Sequence, residues 1–250
     1  MKLSAKEIAG LVRTLSRTGN PKKFTSAIIA AAGSGSRMEL DGETKQFLTL
    51  EGKPVVVHTL LAFEACPFIN EIIVVARRDE CERYPALAEQ YHITKFKKAV
   101  PGGETRQDSV FCGLNAVDDK SEFVAIHDAA RCLIKSEQIE NVLHEAYLAG
   151  AATAASHLSD TVKREEKGFT AETLDRDHLY AATTPQCFKT ELYRAAAVTA
   201  REENYQTTDD NALVEHIGFP VRLVDLGRLN LKITTKEDLI LAEAVLKNRM

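Results

Sequence analysis

No stretch of this 250-residue sequence approaches the ~18–20 consecutive apolar residues that a membrane-spanning helix requires. The longest apolar runs, at 27–32 and 72–76, have the length of strands. The sequence has no Cys-x-x-Cys pair and no Cys/His spacing suited to zinc. Its five cysteines (Cys66, Cys81, Cys112, Cys132 and Cys187) are odd in number and scattered, which argues for free thiols in a reducing compartment. Low-complexity blocks and repeats of solenoid length are missing. Thirty-two Lys+Arg against 36 Asp+Glu leave a net charge of −4, which excludes a generally basic nucleic-acid binder. The first residues lack the continuous apolar core of a secretory signal.

What is present suits a soluble globular protein: 44% of residues are hydrophobic and 27% charged. A chain this long buries roughly 70–75% of its unfolded surface and needs no disulfide or metal staple. Residues 1–24 stand apart. Ile8, Leu11, Val12 and Leu15 recur at helical spacing among Lys2, Lys6, Arg13 and Arg17. An extra helix packed on the domain is expected there, with a transit peptide or a membrane-surface element as alternatives.

From residue 25 onward short β-rich runs alternate with helical ones. Strands are expected at 26–32, 71–76, 96–100 and 123–127, and helices at 55–65, 79–90, 105–117 and 136–150. This order predicts an α/β fold with a mostly parallel sheet covered on both faces. The pattern changes after Gly150. Residues 157–188 read as a hairpin-like arm set apart from the main sheet, including Tyr180-Ala-Ala-Thr-Thr. Helices return at 189–203 and 209–218, a strand at 221–224 and a last helix at 236–248. No polar linker divides 25–250, so one domain with an arm at about 157–180 is expected.

The first chemical signal is Ala30-Ala31-Ala32-Gly33-Ser34-Gly35-Ser36-Arg37-Met38, directly after the first expected strand. Small residues let the backbone approach a ligand closely. A turn of exposed N–H groups after a strand can cradle phosphate oxygens. Arg37 and Lys45 would add positive charge, although the run also reads as a tight structural turn. It is not a Walker loop. Nor is it a dinucleotide fingerprint, because Met38 stands at the third glycine and Arg77-Arg78, not an acid, follow the second strand. A nucleotide site is therefore expected and a nicotinamide site is not.

The second signal, His127-Asp128-Ala129-Ala130-Arg131, ends a buried strand, where ligands of open α/β sheets bind. Asp128 there could hold Mg²⁺ against a nucleotide phosphate, or simply pair with Arg131. The third is Gly102-Gly103-Glu104-Thr105-Arg106-Gln107-Asp108-Ser109, a glycine turn opening a helix. It suits a base edge or an anion, or is a plain helix start capped by Thr105 or Ser109. Thr161, Arg176, Thr184 and Lys232 are individually ordinary.

Taken in order, A-A-G-S-G-S-R-M, K-Q-F, G-G-x-x-R-x-x-S, H-D-A-A-R, D-T-V-K, D-R, T-P-Q, T-D-D and N-L-K-I-T make residues 26–246 resemble the 2-C-methyl-D-erythritol 4-phosphate cytidylyltransferase family. The resemblance implies a Rossmann-like nucleotidyltransferase fold. It also implies a homodimer whose β-arm reaches over the neighbouring subunit's active site, with CTP as co-substrate and Mg²⁺ as cofactor. The implied activity is transfer of CMP to methylerythritol phosphate in non-mevalonate isoprenoid synthesis. Carried over residue by residue, Ala31, Ala32, Gly33, Gly35, Ser36 and Arg37 match the CTP loop. Arg37 and Lys45 match the stabilisers of the phosphoryl transition state. Gly103, Glu104 and Ser109 match positions around the cytidine. Asp128 matches the magnesium and substrate carboxylate, and Arg131 a substrate-site arginine. Thr161 and Arg176 match arm residues that meet the polyol phosphate, Thr184 lies on the substrate side, and Lys232 helps position that phosphate. The sequence departs from the family pattern at Thr44 and Cys132, where proline is usual, and at Glu104, where aspartate is frequent. The rival readings are a ribitol-5-phosphate cytidylyltransferase and a catalytically silent nucleotide-binding module. No membrane or nucleic-acid partner is expected. The expected location is a bacterial cytosol, or a plastid if the N-terminal extension is a transit peptide.

Overall fold

The computed structural model describes residues 23–33 and 44–249. The expected N-terminal helix, and Gly35, Ser36 and Arg37, lie outside the described residues. A seven-stranded sheet organises the rest. Its strands are β1 (Thr25–Ala30), β4 (Glu71–Ala76), β5 (Phe96–Pro101), β6 (Phe123–Asp128), β7 (Ala151–His157), β10 (Tyr180–Lys189) and β11 (Arg222–Asp225). They lie in the order β11-β7-β10-β6-β1-β4-β5. Every neighbouring pair is parallel except the two made by β10, which runs antiparallel to both β6 and β7. The mostly parallel α/β sheet expected from the sequence is therefore present.

The central strands are apolar on both faces because both faces are covered. Side chains alternate along a strand, so Ala27 and Ile29 face one side and Ile28 the other. The first side packs on α1 (Val55–Ala65), α2 (Arg83–Gln90) and α4 (Ser136–Ala149), through Val57, Leu60, Phe63, Tyr84, Val142 and Tyr147. The second packs on α3 (Arg106–Leu114), α5 (Thr190–Glu202) and α6 (Asp210–His216), through Val110, Leu114, Tyr193, Leu213 and Val214. A third cluster under α7 (Lys236–Lys247) joins Ile233 and Ala242 to Leu50 and Leu133. Gly113 permits the close approach of α3, since a Cβ there would stand 2.5 Å from Ile28 Cγ2 and 2.7 Å from Val75 Cγ2. The helix α4 ends at Gly150, in the left-handed region at φ 88°, with its N–H on the Ala146 carbonyl.

Two parts of the sequence reading change. Tyr180-Ala-Ala-Thr-Thr does not belong to the arm: it opens β10, a ten-residue strand between β6 and β7. Residues 151–157, given no strand, form β7. The arm leaves the sheet after His157 and returns at Tyr180, which pair with each other and stack edge to face at 5.1 Å. Between them stands a hairpin of β8 (Lys163–Glu166) and β9 (Phe169–Thr173), every residue of it exposed. A second small pair, β2 (Thr49–Leu50) and β3 (Lys53–Pro54), follows a 3-10 turn at Lys45–Phe47.

Candidate active site

After β1 the chain builds outward to β4 and β5, then returns to the other side of β1 as β6. The crevice between the carboxyl ends of β1 and β6 is thus the switch point where ligands of such sheets bind. The register places Ala30 opposite Asp128 there, and the Ala129 N–H donates to the Ala30 carbonyl at 3.0 Å. Two clefts open from this point. One of about 430 Å³ runs toward the residue 33 loop and the start of α3. The other, of about 240 Å³, runs toward β10 and the start of α6. Arg106, Asp128 and Lys232 line both.

Of the residues expected from the sequence, Ala32, Gly33, Lys45, Gly103, Glu104 and Ser109 line the larger cleft. Arg131 and Thr184 line the smaller one. Ala31 is fully buried and contributes its carbonyl, which accepts from Gln46 Nε2 at 2.6 Å; the same amide reaches the Gly33 carbonyl at 3.1 Å. Thr161 and Arg176 line neither cleft and are exposed on the arm, where an Arg176 guanidinium N–H donates to the Ser159 carbonyl.

The wall of the larger cleft is built from backbone. Thr105 caps α3 by accepting the Asp108 N–H at 3.0 Å. Ser109 Oγ donates to the Thr105 carbonyl at 2.8 Å and accepts the Gly103 N–H at 3.2 Å. A Cβ on Gly102 would stand 2.6 Å from Ala32 Cβ and 2.7 Å from Ser109 Oγ, so only glycine lets the two loops meet here.

Asp128 is the electrostatic centre. Its Oδ2 takes Lys232 Nζ at 2.8 Å and faces Arg131 Nε at 3.7 Å, while its Oδ1 takes Arg106 Nε at 3.2 Å. Burial alone would raise its carboxyl, but Arg106, Lys232 and Arg131 together hold it well below the usual carboxylate range. Arg131 Nε is buried and makes no hydrogen bond, so its link to Asp128 is electrostatic. Burial works to lower Arg106 too, but Asp210 and Asp128 more than offset it and raise its pKa.

Beneath this cluster His127 is fully buried, and burial lowers it to about 4 against the pull of Asp128 and the Arg131 carbonyl. Thr184 Oγ1 accepts the Asp128 N–H at 3.0 Å and lies 3.0 Å from His127 Nδ1. The Arg131 carbonyl, 3.2 Å from Nε2, can only accept, so the neutral ring carries its proton there and Nδ1 accepts from the Thr184 hydroxyl. Two positions before Lys232, Asn230 links Thr184 to Arg131: its Nδ2 donates to the Thr184 carbonyl at 2.7 Å and its own carbonyl accepts from Arg131 at 2.9 Å.

The sequence reading missed three residues. Arg106 joins the two clefts, and Asp210 fixes it: Arg106 Nη1 meets Asp210 Oδ2 at 2.7 Å, and the Tyr193 hydroxyl meets Oδ1 at 2.6 Å. Gln46 ties the carbonyls of Ala31 and Gly33. All three lie within quoted motifs, G-G-x-x-R-x-x-S, T-D-D and K-Q-F, so the signal was present without an assigned role.

For a divalent metal, the described residues hold no group of three or more His, Cys, Asp or Glu able to bind it. They do offer one ionised carboxylate at the mouth of both clefts. That is the usual protein share for a magnesium ion that arrives on phosphate oxygens and keeps its waters.

Three comparisons bear on what this cleft does. Residues 25–248 match the family model of 2-C-methyl-D-erythritol 4-phosphate cytidylyltransferase (IspD). A protein of that name from Halalkalibacterium halodurans is 41% identical over 224 residues, covering 90% of this chain and 97% of its own. One from Pelotomaculum thermopropionicum is 44% identical over 227 residues, covering 90% and 94%. Among solved structures, 4-diphosphocytidyl-2C-methyl-D-erythritol synthase from Anaerococcus prevotii superposes with a TM-score of 0.80 at 33% identity, over 91% of this chain and 100% of that one. The Francisella tularensis cytidylyltransferase gives 0.74 at 29% identity, over 89% and 99%.

Proposed function

The chain belongs to the 2-C-methyl-D-erythritol 4-phosphate cytidylyltransferase family, and from that premise we propose how its residues carry the reaction. The enzyme transfers CMP from CTP to 2-C-methyl-D-erythritol 4-phosphate, giving 4-diphosphocytidyl-2-C-methyl-D-erythritol and pyrophosphate, a step of isoprenoid precursor synthesis. A phosphate oxygen of the polyol attacks the α-phosphorus of CTP, and the bond to the β-phosphate breaks. The attacking oxygen is already anionic, so no general base is needed. The barrier lies in bringing two anions together and stabilising the charge that develops, which positioning and fixed electrostatics address.

One observation carries this assignment of roles: the two clefts meet at Asp128, where Arg106 and Lys232 belong to both. CTP would occupy the larger cleft, its base at Gly103, Glu104 and Ser109 and its phosphates along Ala32 and Gly33 toward Lys45. Arg37 would join Lys45 there. The polyol phosphate would take the smaller cleft, with Arg131, Thr184 and Lys232. Asp128 keeps its three cations apart from one another and in place. Asp128 is the residue that would hold a magnesium ion, whose chemistry when bound is neutralisation of charge on phosphate oxygens.

The second half of the site would come from another copy. Thr161 and Arg176 stand exposed on an arm whose hairpin has no buried residue, and Phe169 at its tip is 78% exposed. A homodimer that exchanges arms would bring both residues over the partner's smaller cleft. Five free thiols suit a reducing cytosol.

Pyrophosphate release from CTP and Mg²⁺ tests the reading, with methylerythritol 4-phosphate and ribitol 5-phosphate offered in parallel. Turnover with the first is expected. Turnover with ribitol phosphate alone would overturn the substrate, and none with either would leave a silent nucleotide-binding module.

A further inference from the structure

Thr44, Lys45 and Gln46 are consecutive and buried, and each is tied to a different element. Gln46 holds the carbonyls of Ala31 and Gly33. Lys45 Nζ donates to the Ile233 carbonyl at 3.0 Å, next to Lys232. Thr44 Oγ1 donates to Glu80 Oε1 at 2.7 Å. Glu80 sits in the turn Arg78–Glu80 between β4 and α2, is 5% exposed and lines neither cleft. Its Oε2 is buried with no hydrogen-bond partner, and so is the Tyr84 hydroxyl one turn further on.

A buried carboxyl oxygen without a donor costs stability, and an apolar side chain would fill the space without that cost. What Glu80 adds instead is one short, directional bond to the residue before Lys45. The far end of the 3-10 turn is held by the same segment. The Arg83 guanidinium lies 3.4 Å from the Phe47 ring centroid, and the Phe47 and Tyr84 rings are 5.6 Å apart. We propose that Glu80 is a positioning residue for Lys45: through the Thr44 hydroxyl it fixes the 3-10 turn and aims the Lys45 ammonium into the larger cleft. The inference rests on the reading of Lys45 as a phosphate-stabilising group. Misplacement of such a group by about 1 Å is enough to slow the chemical step.

The test is a double-mutant cycle read by kcat and by KM for the polyol phosphate. Thr44→Val removes the hydroxyl at nearly constant volume, and Thr44→Ser retains it. Thr44→Val is expected to lower kcat about tenfold with KM unchanged. Thr44→Ser restores the rate, and in a Lys45→Ala background Thr44→Val adds no further loss. Full kcat in Thr44→Val, or a loss that multiplies with that of Lys45→Ala, overturns the proposal while leaving the role of Lys45 intact. Full kcat in Lys45→Ala overturns that role and the proposal with it. Should Thr44→Val fail to fold, Glu80→Met, which removes the acceptor of the Thr44 hydroxyl at similar length, carries the same cycle, with the same outcomes.

Discussion

The cleft at the carboxyl end of the sheet and the hairpin arm both carry opposed charges, and the fold treats them in opposite ways. Asp128 is buried among Arg106, Arg131 and Lys232, which hold its carboxyl ionised. On the arm, Arg164 and Glu172 pair at 3.0 Å with their side chains 57% and 53% exposed. An exposed pair of that kind contributes about 0–1 kcal/mol, whereas breaking a buried one costs several. Burial thus gives the cleft charges a fixed geometry. The arm charges gain one only when a second surface covers them.

Substitutions that treat the two regions alike would break this contrast. The largest effect is expected at Lys45. By analogy with removed oxyanion donors, Lys45→Ala should lower kcat about 10²–10³-fold, and a near-normal pyrophosphate burst would remove Lys45 from the chemistry. Asp128→Asn should come next, because it leaves three cations facing one another. A loss of about 3 kcal/mol in denaturant unfolding is expected together with lost turnover, and unchanged stability would mean the cluster is not held by its carboxylate. Arg176→Ala sharpens the comparison from the other side. Stability should stay within about 0.5 kcal/mol while turnover falls about tenfold or more, and a parallel loss of both would make the arm a structural element.

The last effect is read against pH and concerns His127. Its folded pKa of about 4 lies below the ordinary 6.5, so the unfolded chain binds a proton that the folded chain refuses between those values. Stability from this residue is full above pH 6.5 and is lost as the pH falls toward 4, by up to about 3 kcal/mol. Thermal midpoints across that window should fall less steeply in His127→Asn, and an unchanged slope would show that the ring is protonated inside the fold. Asp128 has the usual carboxylate sign: it contributes above its unfolded pKa of about 3.9, and that contribution goes only as the pH falls through its much lower folded value.

Legibility from sequence followed how local the cause was. Helix α1 and strand β4 were read to the residue, because their apolar patterns and bounding prolines are local signals. Strand β7, Ala-Ala-Thr-Ala-Ala-Ser-His, has little β-propensity of its own and exists because β10 and β11 pair on either side of it. The start of strand β10 reads from sequence as part of the arm because Pro185 and small residues interrupt it, and in the fold its register shifts between Ala182 and Gln186. In the site, Asp128 was legible because a strand end with small neighbours marks a crevice. Arg106 and Asp210, 104 positions apart, meet only through the packing of α3 against α6, which no local pattern encodes.

The central claim is that the cleft of one copy and the arm of another make a single site, and mixing two impaired variants tests it most directly. Lys45→Ala spoils the cleft and Arg176→Ala spoils the arm, so a mixed pair retains one intact cleft under one intact arm. Co-refolding equal amounts should recover about a quarter of the wild-type turnover, the share of complete sites when chains pair at random. Turnover that never rises above the average of the two separate variants would show that each chain works with its own arm or with none.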